Sequence, residues 1–181
     1  MSAEQVRRAQ RGETRAFELL IGERLPRLHA TAALVLHDRT LAEDAVQEAL
    51  VRAWRSLPGL RDPERFDAWL RRLLVHACID AARAAKHERQ VHELPVGVVA
   101  RGNFENTILQ RDALARAFVE LSPAHRAAFV LRHYLGETVQ EVADALDIPL
   151  GTAKSRLHYA EQAMSRALES DARLSLEGGV A

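Results

Sequence analysis

Six side chains crowd the start of one C-terminal helical stretch: Thr152, Lys154, Ser155, Arg156, His158 and Tyr159, within TVQEVADALDIPLGTAKSRLHYAEQAM. Lys and Arg in such a place reach phosphates or guanine edges, and Thr or Ser hydroxyls bond either backbone or bases. A second group lies along FDAWLRRLLVHACIDAARAAKHERQ, where Arg72, His76, Asp80 and Arg83 recur at three- and four-residue steps, with Arg71, Lys86 and Arg89 nearby. A face of this kind follows a nucleic-acid backbone, single-stranded or double-stranded. A third group, Asp44, Gln47, Glu48 and Val51, lines one side of LAEDAVQEALVRAW. A glutamine between two carboxylates, beside an apolar residue, suits a docking surface for Arg-rich helices. Each pattern has a plainer reading: a helical hairpin with a solvated face, Asp80 balancing Arg83, and an acidic face turned to water.

Catalytic chemistry finds no footing. The eight His residues, at positions 29, 37, 76, 87, 92, 125, 133 and 158, give no metal-ligand spacing, so no metal is expected. The single cysteine, Cys78, excludes a disulfide framework and a Cys-rich zinc site, and reads as a small buried side chain. GxxxxGK[ST], GxGxxG and GxSxG are all missing from the sequence. The expectation is a protein with no catalytic residues and no cofactor.

The elements that must position these groups are helices. Ala, Leu, Arg and Glu dominate, without the alternation of strands, so the fold class is all-α. Thr40 with Glu43 reads as a capping box, as does Thr138 with Glu141 after a C-cap glycine, Gly136. Asp62-Pro63 and Ser122-Pro123 place a capping side chain before a proline. These signals predict helices near 13–36, 42–57, 63–88, 107–119, 123–135, 138–146 and 151–169.

The last two, joined by a turn at Asp147–Gly151, have the layout of a helix-turn-helix. Val142, Ala143, Leu146, Ile148, Ala153 and Leu157 supply its core, and Asp147 stands where the turn demands a left-handed backbone. On the 63–88 helix, Phe66, Trp69, Leu70, Leu73, Leu74, Ala77 and Ala81 should face the core. On the 42–57 helix the inner face is Val46, Leu50, Ala53, Trp54 and Leu57.

Length and charge bound the rest. With 181 residues, 48% hydrophobic and 28% charged, the chain suits one domain or two small ones. Texture breaks at VHELPVGVVARGNFEN, which predicts a linker over 91–106 between domains at 1–90 and 107–170, with a flexible tail at 171–181. The formal net charge is zero. It divides into 16 Lys plus Arg against 13 Asp plus Glu over 1–92, and 9 against 12 over 93–181. The N-terminus lacks the apolar segment of a secretory signal, and the longest stretch free of Lys, Arg, Asp and Glu is Leu28–His37, too short to span a bilayer. A cytoplasmic chain is expected.

Taken together, the three segments resemble a bacterial sigma factor of the extracytoplasmic-function class in the sigma-70 family. The resemblance covers roughly Ala16–Gln90 and Leu109–Leu168. It implies two helical domains on a flexible linker, without a middle domain. AEDAVQEALVRAW resembles the region-two helix that docks on the clamp helices of the polymerase largest subunit, which would make Asp44, Gln47, Glu48 and Val51 core-polymerase contacts. RFDAWLRRLLVHACIDAARAAKHERQ resembles the segment that opens and reads the proximal promoter element. By that likeness the loop Leu57–Arg65 would hold a base flipped from the non-template strand, with Arg61, Arg65, Arg71, Arg72, His76, Arg83 and Lys86 as contacts. LSPAHRAAFVLRHYLGETVQEVADALDIPLGTAKSRLHYA resembles the region-four domain that reads the distal element as duplex, through Thr152, Lys154, Ser155, Arg156, His158 and Tyr159.

The implied partners are core RNA polymerase, at its clamp helices and flap region, promoter DNA, and a separate anti-sigma factor. The implied location is cytoplasmic and nucleoid-associated, with the anti-sigma factor able to hold the chain at a membrane. Two departures stand out: His76 occupies a position where many relatives carry Asn, and His158-Tyr159-Ala160-Glu161 replaces a more basic run. The function so implied is promoter-specific transcription initiation. The alternatives are an autonomous helix-turn-helix regulator and a sigma-like protein that titrates an anti-sigma factor.

Overall fold

The computed structural model describes residues 3–91 and 108–177, and every regular element among them is helical. They form two compact units. The first contains α1 (Ala3–Gln10), α2 (Thr14–Gly22), α3 (Leu25–Leu36), α4 (Arg39–Ser56) and α5 (Phe66–Val91), with 3-10 turns at Leu57–Gly59 and Pro63–Arg65. The second contains α6 (Ile108–Glu120), α7 (Pro123–Phe129), a π-type turn at Val130–Tyr134, α8 (Val139–Leu146) and α9 (Leu150–Glu177). Apart from Val91, the linker expected over 91–106 lies outside the described residues, as does the end of the chain from 178 on.

In the first unit α4 and α5 pack along their length, and α3 packs on both. The inner face of α4 is Ala42, Ala45, Val46, Ala49 and Ala53, none more than 3% exposed. Small side chains let backbones approach, so the apolar stripe of α4 is turned toward its alanines. Of the expected inner face, Val46, Ala53 and Leu57 are buried, and two residues are corrected. Leu50 is only half-buried, and Trp54, 39% exposed, lies at the edge with its ring 5.0 Å from Phe17 in an edge-on contact.

On α5, Phe66, Leu70, Leu74 and Ala77 are buried as the spacing predicts, but Val75 and Cys78 are buried too, while Trp69, Leu73 and Ala81 are half-buried. Contact with both α3 and α4 covers two sides of this helix, so the buried arc is wider and rotated. Burying a leucine such as Leu74 contributes about 1.5–3 kcal/mol. The same burial pushes the Cys78 thiol up to about 12, which leaves it inert.

Three local expectations are corrected. The helix predicted over 13–36 is two helices, because Pro26 in the first turn of α3 has no N–H and cannot continue a helix from α2. The cap of α4 is Asp38, whose carboxylate accepts from the Leu41 N–H at 3.0 Å; Glu43 pairs with Arg39 instead of closing a box with Thr40. α1 was not expected at all. It buries only Val6 and Ala9, too few apolar positions to announce a helix, and ends before Gly12 at φ +90°.

In the second unit Leu121, Ala160 and Met164 form a core with Leu114, Ala117, Phe118, Phe129 and Ala163. The predicted helix-turn-helix is present. Val142, Ala143, Leu146, Ala153 and Leu157 are at most 4% exposed, Ile148 is half-buried, and Asp147 takes the left-handed turn at φ +54°. Gly136 at φ +78° ends the preceding turn. The Thr138 box is closed, with Thr138 N–H donating to Glu141 at 2.7 Å and Glu141 N–H to the Thr138 hydroxyl at 3.2 Å.

The helix expected over 123–135 keeps α geometry to Phe129 and then widens by one π turn. α9 runs on to Glu177, through residues read as tail, since no Gly or Pro interrupts it before Gly178. Arg126, 8% exposed, donates to the Val119 carbonyl at 3.1 Å, where a cation meets the C-terminal dipole of α6. Burial lowers its proton affinity.

Candidate functional site

The acidic face of α4 stands clear of its alanine stripe. Asp44, Gln47 and Glu48 are exposed, and Val51 beside them is 43% exposed. Glu48 is not a lone charge. It accepts from Arg52 Nε at 2.7 Å, and the other arm of that guanidinium donates to Asp80 of α5 at 3.1 Å. Both contacts raise the proton affinity of Arg52, Glu48 first and Asp80 second. Asp80 also lies 3.9 Å from Arg83. The face expected to meet protein and the one expected to meet nucleic acid are thus joined by one chain of alternating charge.

Along α5 the structure sets Arg72, His76, Asp80 and Arg83 on a common stripe, with Lys86 continuing it; Arg71 is half-buried to one side. Arg61 and Arg65 are exposed on the connection before α5. Among the described residues the side chains of Arg61, Arg65 and Lys86 make no hydrogen bond or ion pair within this unit, so their charge is available. His76 is half-buried, and its Nε2 is sealed from solvent without a hydrogen-bond partner. In this rotamer Nε2 is closed to an outside partner.

The connection between α4 and α5 is held from outside. Gln10 at the end of α1 donates both amide protons, to the Leu57 carbonyl at 3.1 Å and the Leu60 carbonyl at 2.7 Å. Asp62 caps the second 3-10 turn through the Glu64 N–H at 3.0 Å. Arg24 clasps Asp67 through Nε at 2.5 Å, with its guanidinium 5.4 Å over the Phe66 ring.

On α9 the six expected residues separate into two stripes. Thr152, Arg156 and Tyr159 run along the side next to α7, where the Tyr159 ring meets His125 at 4.7 Å. Lys154 and His158 run along another, and His158 Nε2 accepts from the Gln162 amide at 2.9 Å. Ser155 donates to the Thr152 carbonyl at 3.0 Å, so its hydroxyl proton is already used. Lys154 is exposed and, among the described residues, unpaired. Glu161, one of the departures from the basic run, lies 3.0 Å from His133 Nε2 and is thereby occupied.

The two units match two domain families. Residues 20–88 match sigma-70 region 2, and residues 111–164 match sigma-70 region 4. The chain is 35% identical over 136 residues to the ECF RNA polymerase sigma factor SigL of Mycobacterium tuberculosis, covering 73% of this chain and 77% of that one. It is 32% identical over 162 residues to the RNA polymerase sigma-E factor of Streptomyces antibioticus, covering 88% of each.

The chain belongs to the extracytoplasmic-function class of the sigma-70 family.

Two solved structures share its fold. One is the sigma factor RpoE bound to the anti-sigma factor NepR from Bartonella quintana, with TM-score 0.68, 25% identity, and coverage of 84% of this chain and 98% of that chain. The other is CnrH in complex with the cytosolic domain of CnrY, with TM-score 0.65, 25% identity, and coverage of 93% and 97%. In this sigma factor all seventeen expected contact residues fall within the matched spans. Sequence reasoning missed Arg52, Gln10 and His125. An Arg four residues after Glu48 was visible on α4, but its second partner, 28 positions away, was not.

Proposed function

We propose that this chain is a dissociable transcription initiation factor that directs core RNA polymerase to a restricted set of promoters and has no catalytic activity of its own. The observation that carries this reading is the order of a region-two unit and a region-four unit in one chain. Asp44, Gln47, Glu48 and Val51 would dock on the clamp helices, with the flap region as a further polymerase contact. Their exposure, and the apolar Val51–Trp54 step beside them, support that role. Arg61, Arg65, Arg71, Arg72, His76, Arg83 and Lys86 would take the melted proximal element, and the loop Leu57–Arg65 a flipped base. Flipping costs a few kcal/mol of unstacking, so it needs a pocket of set shape, and the Gln10 hydrogen bonds to Leu57 and Leu60 supply such a restraint. Thr152, Lys154, Ser155, Arg156, His158 and Tyr159 would read the distal element as duplex.

The working place of such a factor is the cytoplasm, at the nucleoid. No helix among the described residues is long and apolar enough to cross a membrane. A separate anti-sigma factor is proposed as its regulator, supported by the anti-sigma factor bound to the structural relative RpoE; it would also provide any attachment to a membrane.

Run-off transcription with purified core polymerase tests this reading. Promoter-specific product should depend on the chain and vanish when Asp44, Gln47 and Glu48 are all changed to Ala. Tight, specific duplex binding by the chain without polymerase would instead identify an autonomous regulator. Binding to an anti-sigma domain with no transcription at all would identify a titrating mimic.

A further inference from the structure

The second unit contains a small arrangement around His125 that the reading of α9 leaves unused. Ser122 caps α7, its Oγ accepting from the His125 N–H at 3.3 Å, and the same Oγ lies 2.5 Å from His125 Nδ1. The His125 ring rests against Tyr159 of α9, with centroids 4.7 Å apart and planes tilted by 45°. Burial, and then the nearby Arg156 guanidinium, hold the proton affinity of His125 below the ordinary histidine value. The ring is therefore neutral at neutral pH, and a hydrogen bond joins Nδ1 to the Ser122 hydroxyl. Two contacts fix the plane of this ring, a hydroxyl at its edge and an aromatic ring beside it.

Tyr159 itself is 53% exposed, two turns beyond Thr152 on the same stripe. An aromatic side chain that exposed ordinarily samples several rotamers. One propped by a fixed ring loses little entropy when it engages a ligand. Tyr159 carries no charge for a phosphate, whereas its ring edge complements the C5-methyl group that thymine alone displays in the major groove.

We propose that the Ser122–His125 pair is a positioning device that presents Tyr159 as an uncharged reader of a thymine methyl in the distal duplex. The proposal rests on the reading of α9 as the DNA-facing helix. His125 acts through Tyr159 and touches no base.

The test uses holoenzyme reconstituted with core polymerase and a distal duplex selected by the unaltered chain from random sequence, each thymine replaced in turn by deoxyuridine. One replacement should weaken binding about five-fold. His125→Ala should abolish that sensitivity, and His125→Phe, which keeps an aromatic prop, should retain it, both with an unchanged salt slope. Ser122→Gly leaves a residue still acceptable at the cap, removes the hydroxymethyl group that meets the His125 ring, and should reduce the sensitivity even if His125→Ala does not fold. Deoxyuridine sensitivity that survives in both His125→Ala and Ser122→Gly overturns the positioning role. A salt slope shallower by about one in Tyr159→Ala overturns base reading in favour of a phosphate contact. Selection that yields no preferred duplex overturns the underlying reading of α9.

Discussion

α4 of the first unit and α9 of the second both turn alanines inward, Ala42, Ala45, Ala49 and Ala53 on one and Ala153 and Ala160 on the other, and both present a polar face outward. They differ in how that face is charged. α4 carries linked ions: Arg39 with Glu43, and Glu48 through Arg52 to Asp80 and Arg83. The outer face of α9 over the expected reading residues carries only two charges, both positive and not linked in a network. Ser155 bonds within its own helix, His158 holds Gln162, Tyr159 leans on His125, and only Lys154 and Arg156 bring charge. Prearranged alternating charge suits a protein partner with charges of its own, where complementarity fixes register. A face with two cations suits reading base edges while contributing little phosphate affinity. The zero net charge of the chain fits that division, since neither face alone would hold DNA tightly.

The comparison can be broken at either helix. The largest effect is expected from changing Asp44, Gln47 and Glu48 together to Ala. Affinity for core polymerase, measured by fluorescence anisotropy, should fall about a hundred-fold while the melting temperature of the free chain stays put. Retained affinity would move the docking face elsewhere. Next, Ala143→Leu overfills the closest crossing of the helix-turn-helix and should destabilise the second unit by about 1–3 kcal/mol. Calorimetry or amide exchange should find the first unit unaffected; equal loss in both would deny that they are separate units.

A smaller change is expected from Lys154→Ala. It should weaken distal-duplex binding by holoenzyme evenly across sequences and flatten the salt dependence by about 0.9 in log–log slope. A shift in sequence preference instead would make Lys154 a base reader. Arg52→Gln should cost at most about 1 kcal/mol in urea unfolding, because the bridge is surface-exposed. The smallest effect concerns pH. With the folded-state proton affinity of His125 depressed, the unfolded chain binds the proton first as pH falls through the ordinary value of 6.5. The second unit should lose stability from there down to the folded-state value and none above it. His125→Phe should flatten that slope in a pH series of thermal melts.

Much of this was legible in local sequence. The helix-turn-helix could be read from Val142, Ala143, Leu146 and Leu157, from Asp147 at its turn and from the Thr138–Glu141 box, because period and capping operate within one helical turn. The break at Pro26 is equally local, and Thr40–Glu43 imitates a box two residues after the cap of α4, Asp38. The expected contact residues lie on polar faces, and the structure leaves most of them exposed, Arg71, His76, Thr152 and Arg156 being the half-buried exceptions.

By itself, the sequence determined that the chain is helical, that it has two parts, and which side chains crowd each outer face, since these follow from periodicity, composition and caps acting over a few residues. Only the tertiary structure decided how those faces are held. Arg52 reaches Asp80 across 28 positions, Gln10 pins Leu60 across 50, and the rings of His125 and Tyr159 meet across two helices. Such contacts depend on the angle at which helices cross and on which alanines let them approach. No local pattern carries that information.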